Sequence, residues 1–232
     1  MPTGLETELL QQALGGASAP RLVKQMTFLF ELEKLKGIFR ETLTPDASAE
    51  MGYRKENSGE HSWHIAVFGL MLHEYAEDKV DVLKTVKMLL LHELVEIYAG
   101  DTSAYSAQSG QVTHEKEVKA ADKIAALLPG DQAVEYRALW DEFEAGQTPE
   151  SKYARAIDRV HPIIANFLTR GRGWHERKIT YDKVIATHEA RITAGAPELW
   201  RAIKACLDYG KVNGFFYEPP TPTQTPAQGI TP

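Results

Sequence analysis

Residues 89–102, LLLHELVEIYAGDT, combine an apolar helix end with ionisable side chains, and this combination limits how the chain can fold. His92, Glu93 and Glu96 lie inside the apolar run, and Asp101 follows the glycine that ends it. An unpaired carboxylate loses much free energy when it leaves water, so buried charges are normally paired or bound to metal. The segment therefore predicts a packed helix whose acids face a cation or charged partners.

Helix signals dominate the rest of the sequence, whereas strand signals are nearly absent. Asn57 and Glu60 form an N-x-x-E capping box, and Thr148 followed by Pro149 is typical of a second helix start. Apolar residues recur at helical spacing between such signals. The pattern predicts helices over residues 21–37, 58–76, 78 or 81 to 100, 113–128, 131–144, 149–169, 181–194 and 197–210.

The remaining stretches divide the chain into one domain with two flanking segments. Residues 40–59 and 169–180 contain Pro or Gly and are predicted to be loops. A chain of 232 residues with 43% hydrophobic and 25% charged residues suits one globular domain. We expect an N-terminal segment over 1–20, an all-α helical domain over 21–212 and a disordered Pro/Thr-rich tail over 213–232.

Charge and cysteine content exclude several classes of protein. The formal net charge of -6 argues against binding to a nucleic-acid polymer, which needs a basic surface. The single cysteine, Cys206, excludes an intrachain disulfide and fits a reducing compartment. No signal peptide is evident, and no apolar run reaches the roughly 18 residues of a membrane helix. We therefore expect a cytoplasmic protein that does not enter a membrane.

Three short segments carry a further pattern of histidines and acids. They read ENSGEHS at 56–62, HELVEIYAGD at 92–101 and AID at 156–158. In this order they resemble the HD-domain superfamily of metal-dependent phosphohydrolases, most closely the branch that contains bacterial 5′-deoxynucleotidases. The resemblance extends over about residues 30–170 and implies a helical HD-domain bundle. Each segment alone is a weak signal, but three in the same order are fairly specific.

The resemblance implies a role for each matching residue. The metal ligands would be His61, His92, Glu93 and Asp158, and they would hold one divalent ion. Glu96 would act beside the attacking water or the leaving group, and Asp101 would shape the substrate site. Arg54 and, through a weaker match, Arg40 would contact phosphate. Two imidazoles and two carboxylates without a thiolate favour Mn²⁺, Co²⁺, Fe²⁺ or Zn²⁺.

One departure from the family pattern concerns Glu93, which replaces the aspartate that gives the family its name. Glutamate is one methylene longer, so either the ion shifts or the side chain folds back. Between Glu93 and Asp158 the only histidine is His114, whereas dinuclear members of the superfamily usually have two more there. A mononuclear site is therefore expected.

Structural roles compete with each of these assignments. His92 and Glu93 could form an ion pair at a helix end, and Asp158 could pair with Arg155 or Arg159 on its own helix. Asp101, which follows a glycine, could cap the next turn, and Arg54 could be a solvated loop residue.

The function implied by the resemblance is removal of phosphate from a small phosphomonoester by metal-activated water. A (deoxy)nucleoside 5′-monophosphate is the expected substrate, and relatives suggest a homodimer. Two alternatives stay open. One is hydrolysis of a nucleoside triphosphate, a guanosine polyphosphate or a phosphodiester. The other is a nucleotide-binding module whose catalysis is weakened by Glu93.

Overall fold

The structure, a computed structural model, describes residues 12–14, 20–106 and 111–220 and confirms the all-α prediction. Its α-helices are α1 (Pro20–Glu31), α2 (Ser58–Met71), α3 (Val82–Leu91), α4 (Glu96–Ala99), α5 (Gln111–Leu127), α6 (Gly130–Ala145), α7 (Pro149–Leu168), α8 (Arg172–Glu176), α9 (Tyr181–Gly195) and α10 (Pro197–Val212). Short 3₁₀ helices cover Leu32–Gly37, His73–Tyr75 and His92–Val95. Among the described helices, none is both long and apolar enough to cross a membrane.

The helices that carry the candidate ligands begin at the predicted caps. The Asn57 side chain accepts a hydrogen bond from the Glu60 amide, and the Glu60 side chain accepts one from the Asn57 amide. This reciprocal pair satisfies amides that the first turn of α2 would otherwise leave free. Thr148 caps α7 in the same way, with Ser151 at the third helical position. Both helices are therefore fixed at the ends that lead into the site.

The prediction of a loop over 40–59 is wrong, because this region contains a two-stranded antiparallel hairpin. Strands β1 (Phe39–Pro45) and β2 (Tyr53–Asn57) pair with Thr44 opposite Arg54. The inward-facing side chains of Thr42 and Glu56 are buried, although most of their neighbours are not. The strands are short and mostly polar, so they lack the apolar alternation by which strands are recognised.

The helix predicted to end at Gly100 is interrupted at the point where the charged residues begin. α3 ends at Leu91, His92–Val95 form a 3₁₀ turn, and α4 resumes at Glu96. Gly100 then adopts a φ of +78°, a conformation that strongly favours glycine. A 3₁₀ turn has fewer residues per turn than an α-helix, so His92 and Glu93 project at different angles from those of a continuous helix.

Two clusters of buried side chains form the core, and α7 runs through the larger one. Ile65, Met88 and Ile157 belong to this cluster, which joins α2, α3 and α7 to the C-terminal helices. The smaller cluster includes Leu94, Ile124 and Trp140 and joins the 3₁₀ turn to α5 and α6. The interrupted helix therefore lies where the two clusters meet.

The C-terminal end of the domain extends beyond its predicted limit at residue 212. Phe216 is buried and stacks on Trp174 in α8, with ring centroids 4.5 Å apart. The Tyr217 amide donates a hydrogen bond to the Ile179 carbonyl. The predicted tail therefore begins later than 213, because its first aromatic residues complete the core. The predicted disorder over 221–232 and most of the predicted 1–20 segment lie outside the described residues.

A close approach at Gly171 gives a test of this C-terminal packing. Gly171 has a φ of +73°, and a Cβ there would lie 1.7 Å from the Phe215 carbonyl oxygen. Gly214 has a similar φ of +70°, but nothing lies within 4 Å of its Cβ position. We expect Gly214→Ala to lower the free energy of unfolding by about 1 kcal/mol through backbone strain alone. Gly171→Ala should cost about 1–3 kcal/mol more, because Phe215 must move.

Urea denaturation of both variants and the parent protein measures this difference. The Gly214 variant is the matched control, since it has the same backbone conformation without the close contact. Equal losses in the two variants would contradict the packing of residues 213–217 on α8.

Candidate metal centre

Four donor atoms from three segments, namely α2, the 3₁₀ turn and α7, meet in the interior. Nε2 of His61 lies 3.1 Å from Oδ1 of Asp158, and Nε2 of His92 lies 3.0 Å from Oε1 of Glu93. The four residues each offer an atom within 4.8 Å of all the others, and all four are buried. Ligands at about 2.1 Å from one ion lie roughly 3–3.4 Å from their neighbours. The spacing therefore fits donors that share a single cation.

His61 is positioned by a second layer of polar side chains beneath it. Its Nδ1 lies 3.2 Å from Nδ1 of His161 and 3.6 Å from Oε2 of Glu56. Burial and the nearby His61 and His64 hold the pKa of His161 well below its usual value, so the ring is neutral. A neutral His161 can accept the His61 Nδ1 proton, and this tautomer leaves Nε2 of His61 free to bind a metal.

His92 offers the clearest test of whether a metal fits this site. Its Nδ1 donates a hydrogen bond to the Leu89 carbonyl at 3.1 Å, which assigns the ring proton to that nitrogen. Its Nε2 is buried, makes no hydrogen bond and faces the Glu93 carboxylate. Two electron-rich atoms in contact away from water are unfavourable unless a cation lies between them. The donor set therefore fits a bound divalent metal.

Arg40 supplies positive charge beside the donors. Its Nη1 lies 2.7 Å from Oε2 of Glu93, 3.8 Å from Glu96 and 3.7 Å from Asp101. Burial acts to raise the pKa of Glu93, but the positive charge of Arg40 holds it well below its usual range. Burial opposes the charge of Arg40, yet the surrounding carboxylates raise its pKa. Glu93 is therefore an anion, and one of its oxygens faces the donor group.

Glu96 and Asp101 differ from Glu93 in their electrostatics. Burial, followed by the charge of Glu93, raises the pKa of Glu96 well above its usual value. Burial also raises the pKa of Asp101, against the opposing charge of Arg40. Ser58 donates a hydrogen bond to Oε2 of Glu96, which orients that carboxyl group. A carboxyl group that keeps its proton near neutral pH can act as an acid.

Asp158 reaches the donor group from α7 rather than turning to solvent. Burial acts to raise its pKa, but Arg159, His61 and His92 hold it well below its usual value. The competing pairing with Arg159 is present at 3.5 Å through Oδ2, while Oδ1 faces the imidazoles. Arg155, the other predicted competitor, donates instead to backbone carbonyls at the end of α6. Asp158 can therefore pair with Arg159 through one oxygen while its other oxygen faces the metal donors.

Arg54 lies apart from the group that the other candidates form. Its guanidinium pairs with Asp46 at 3.0 Å and with Glu60 at 2.7 Å on the exposed side of the hairpin. It does not line the cavity above the donors, whereas Arg40, Glu96 and Asp101 do. Arg54 is therefore a surface arginine, which is the alternative that the sequence analysis left open.

A cavity of about 150 Å³ opens over the donor group and contains polar residues that the sequence analysis missed. Arg159, Arg177 and Asn166 line it. Arg177 donates to the Ser103 hydroxyl and lies over the Tyr105 ring, and Oδ1 of Asn166 is buried without a hydrogen bond. Only Arg159 had a sequence signal, as the neighbour of Asp158. Asn166 lies two turns after Asp158 on α7, and Arg177 comes from a separate segment that the fold brings to the cavity.

Comparison with known proteins identifies the family. A model of the HD domain family matches residues 32–200, most of the chain. The chain belongs to the HD domain family. Its donor group lies on the three segments that carry the resemblance described above.

Similar curated proteins are named as 5′-deoxynucleotidases. The chain is 26% identical over 111 residues to the Homo sapiens 5′-deoxynucleotidase HDDC2, covering 48% of this chain and 53% of that protein. It is 25% identical over 134 residues to the Schizosaccharomyces pombe 5′-deoxynucleotidase hdd1, covering 56% and 63%. The chain spans little more than half the length of these curated relatives.

Two solved structures are also similar. A predicted metal-dependent phosphohydrolase from Magnetospirillum magnetotacticum MS-1 is 41% identical with a TM-score of 0.77, over 85% of this chain and 96% of that one. An HD-domain phosphohydrolase from Listeria innocua is 19% identical with a TM-score of 0.58, over 82% and 95%. At that identity the second likeness concerns the fold alone.

Proposed function

We propose that this protein is a metal-dependent phosphohydrolase that removes phosphate from a small phosphomonoester, most simply a (deoxy)nucleoside 5′-monophosphate. The observation that carries the proposal is the meeting of four buried donors, one of them the unpaired Nε2 of His92. The relatives named above as 5′-deoxynucleotidases and phosphohydrolases support the same reaction class.

His61, His92, Glu93 and Asp158 would hold one divalent ion. When bound, such an ion polarises a phosphoryl oxygen and lowers the pKa of water toward neutrality. The chain's own part is to fix these donors and to keep them in the required protonation states. His161 and the Leu89 carbonyl do so by binding the ring protons of His61 and His92.

The residues around the donors would act on the substrate. Burial raises the pKa of Glu96, which favours its protonated form, and a protonated Glu96 could donate to the departing alkoxide. Arg177 lines the cavity and can bind the non-bridging oxygens of the phosphate. Asp101 contacts Arg40 at 3.7 Å and so helps hold the guanidinium against Glu93.

The experiment is a phosphate-release screen with Mn²⁺, Co²⁺, Fe²⁺ and Zn²⁺ against ribo- and deoxyribonucleoside 5′-monophosphates. Nucleoside triphosphates, a guanosine polyphosphate and a phosphodiester complete the panel and test the first alternative by product identity. Chelator-treated protein is the control. Protein that is folded by circular dichroism yet releases no phosphate with any metal would contradict the proposal.

The second alternative, a binding module with weakened catalysis, depends on Glu93. We expect Glu93→Asp to lower kcat/KM by about tenfold, because the shorter side chain loses its reach to either His92 or Arg40. Steady-state kinetics with the preferred metal, alongside metal titration, measures this change. A large gain in turnover would instead favour the weakened module.

Assembly as a homodimer and a cytoplasmic location stay predictions. Both are consistent with the proposed reaction, which needs only a small soluble substrate.

A further inference from the structure

A second and larger cavity adjoins the one above the metal donors. Its volume is about 550 Å³, and Asp158, Arg159, Phe143 and Glu144 line both cavities. A metal ligand is therefore part of the shared wall. A group bound at the donors through its phosphate would have room for its remaining part in this second space.

The wall of the second cavity on α7 and α9 is formed by Arg155, Arg159 and Arg191. Arg155 and Arg159 are four residues apart, one turn of α7, so they face the same side. Nη1 of Arg155 donates to the carbonyls of Phe143 and Glu144, at 2.8 and 2.5 Å. These contacts hold Arg155 in place without neutralising its charge.

The charges of this wall are incompletely balanced. Arg159 lies 3.5 Å from Asp158, an acid whose other oxygen faces the metal donors. Within the described ranges no carboxylate lies within 4.0 Å of Arg191. Partial burial of the guanidinium, followed by repulsion from Arg159 and Arg155, lowers the pKa of Arg191 to about 10, so it stays protonated at neutral pH.

The acids of the second cavity lie on its other side. Glu117 and Glu144 come from α5 and α6, and Nδ1 of His114 is 4.0 Å from Oε2 of Glu144. Burial, followed by repulsion from Glu144, raises the pKa of Glu117. These acids therefore repel each other across their own wall. Arg159 and Arg191 lie on the α7 and α9 side of the cavity, Arg155 reaches the end of α6, and a ligand could fill the space that these side chains line.

We propose that Arg155, Arg159 and Arg191 form a subsite for a second phosphate carried by the leaving group of the substrate. The preferred substrate class is then a nucleoside with one phosphate on the 5′ carbon, bound at the metal donors, and another elsewhere on the sugar. Guanidinium groups bind phosphate through paired, charge-assisted hydrogen bonds, and a bound phosphate would relieve their mutual repulsion. This inference rests on the proposed function.

The test compares adenosine 3′,5′-bisphosphate with adenosine 5′-monophosphate as substrates of the metal-loaded protein. We expect kcat/KM for the bisphosphate to exceed that for the monophosphate by at least about tenfold. Arg191→Gln should remove most of this preference, because the variant loses one of the three arginines of the subsite. Arg201→Gln is the matched control: Arg201 is an exposed arginine on α10, away from both cavities, and its loss should leave the preference unchanged.

A calorimetric titration of both nucleotides into chelator-treated protein separates this inference from the proposed reaction. If neither nucleotide is hydrolysed, but the bisphosphate binds more tightly to the parent than to the Arg191 variant, the subsite stands and the reaction does not. If the monophosphate is hydrolysed and the two substrates have equal kcat/KM in both proteins, the subsite is overturned.

Discussion

Replacing Asp158 with asparagine is expected to lower kcat/KM for phosphate release by at least about a thousandfold. Asparagine keeps the size of the side chain but removes the charge that faces His61 and His92. A metal contributes several kcal/mol of transition-state stabilisation, and about 4 kcal/mol corresponds to a factor of a thousand. The variant should also hold less metal, because one of four donors is weakened.

Steady-state kinetics and elemental analysis of the purified variant measure both effects. Asp141→Asn is the matched control, since Asp141 is an exposed acid on α6 that pairs with Arg137. Its activity and metal content should equal those of the parent. An Asp158 variant with full metal content and full activity would show that the donor group is not the reaction centre.

Arg40→Gln is expected to destabilise the metal-free protein by about 3–5 kcal/mol. Arg40 lies among four acids, with Glu93 and Asp101 on one side and Glu56 3.7 Å from its Nε. Removing the cation leaves negative charges close together with little access to water, which costs more than the loss of one hydrogen bond. The melting temperature should fall by roughly 10 °C.

Arg54→Gln is the matched control for Arg40, because it removes the same charge from the exposed face of the same hairpin. Exposed ion pairs contribute little, so this variant should lose about 0–1 kcal/mol. Excess Mn²⁺ should restore part of the lost stability of the Arg40 variant, since a bound cation replaces some of the missing charge. Equal losses in the two variants, unaffected by metal, would count against Arg40 as the charge partner of the site.

The helices and the donor group could be anticipated because their signals are local. Capping residues mark the starts of α2 and α7, and the histidines and acids of the donor group lie in three short sequence segments, two of them on these helices. The hairpin and the 3₁₀ turn could not be anticipated from the sequence, because their stability comes from contacts with the rest of the molecule. Thr42 and Glu56 are buried in a strand pair whose sequence is otherwise polar.

The two arginines of the hairpin show that the sequence also could not predict which side chains lie in the site. Arg54 and Arg40 are both on the hairpin, but their strand positions place one on the outer face and one against Glu93. When residues 40–59 are predicted to be a loop, no alternation between two strand faces is expected, so the two arginines cannot be assigned to different faces. Arg177 is separated from the other site residues along the chain, so no spacing in the sequence indicated it. His161 lies only three residues after Asp158 on α7, but its contact with His61 depends on how α2 packs against α7.

The 3₁₀ turn at His92–Val95 contributes both to the hydrophobic core and to the metal donor group. Leu94 and Val95 are embedded in the smaller core cluster with Ile124, while the preceding two residues supply donors to the cation. A change in side-chain volume at Ile124 on α5, which belongs to the same cluster, is therefore expected to shift the short backbone segment that sets the donor spacing. We therefore expect metal affinity to change when the packing of α5 against this turn is altered, although α5 does not contact the ion.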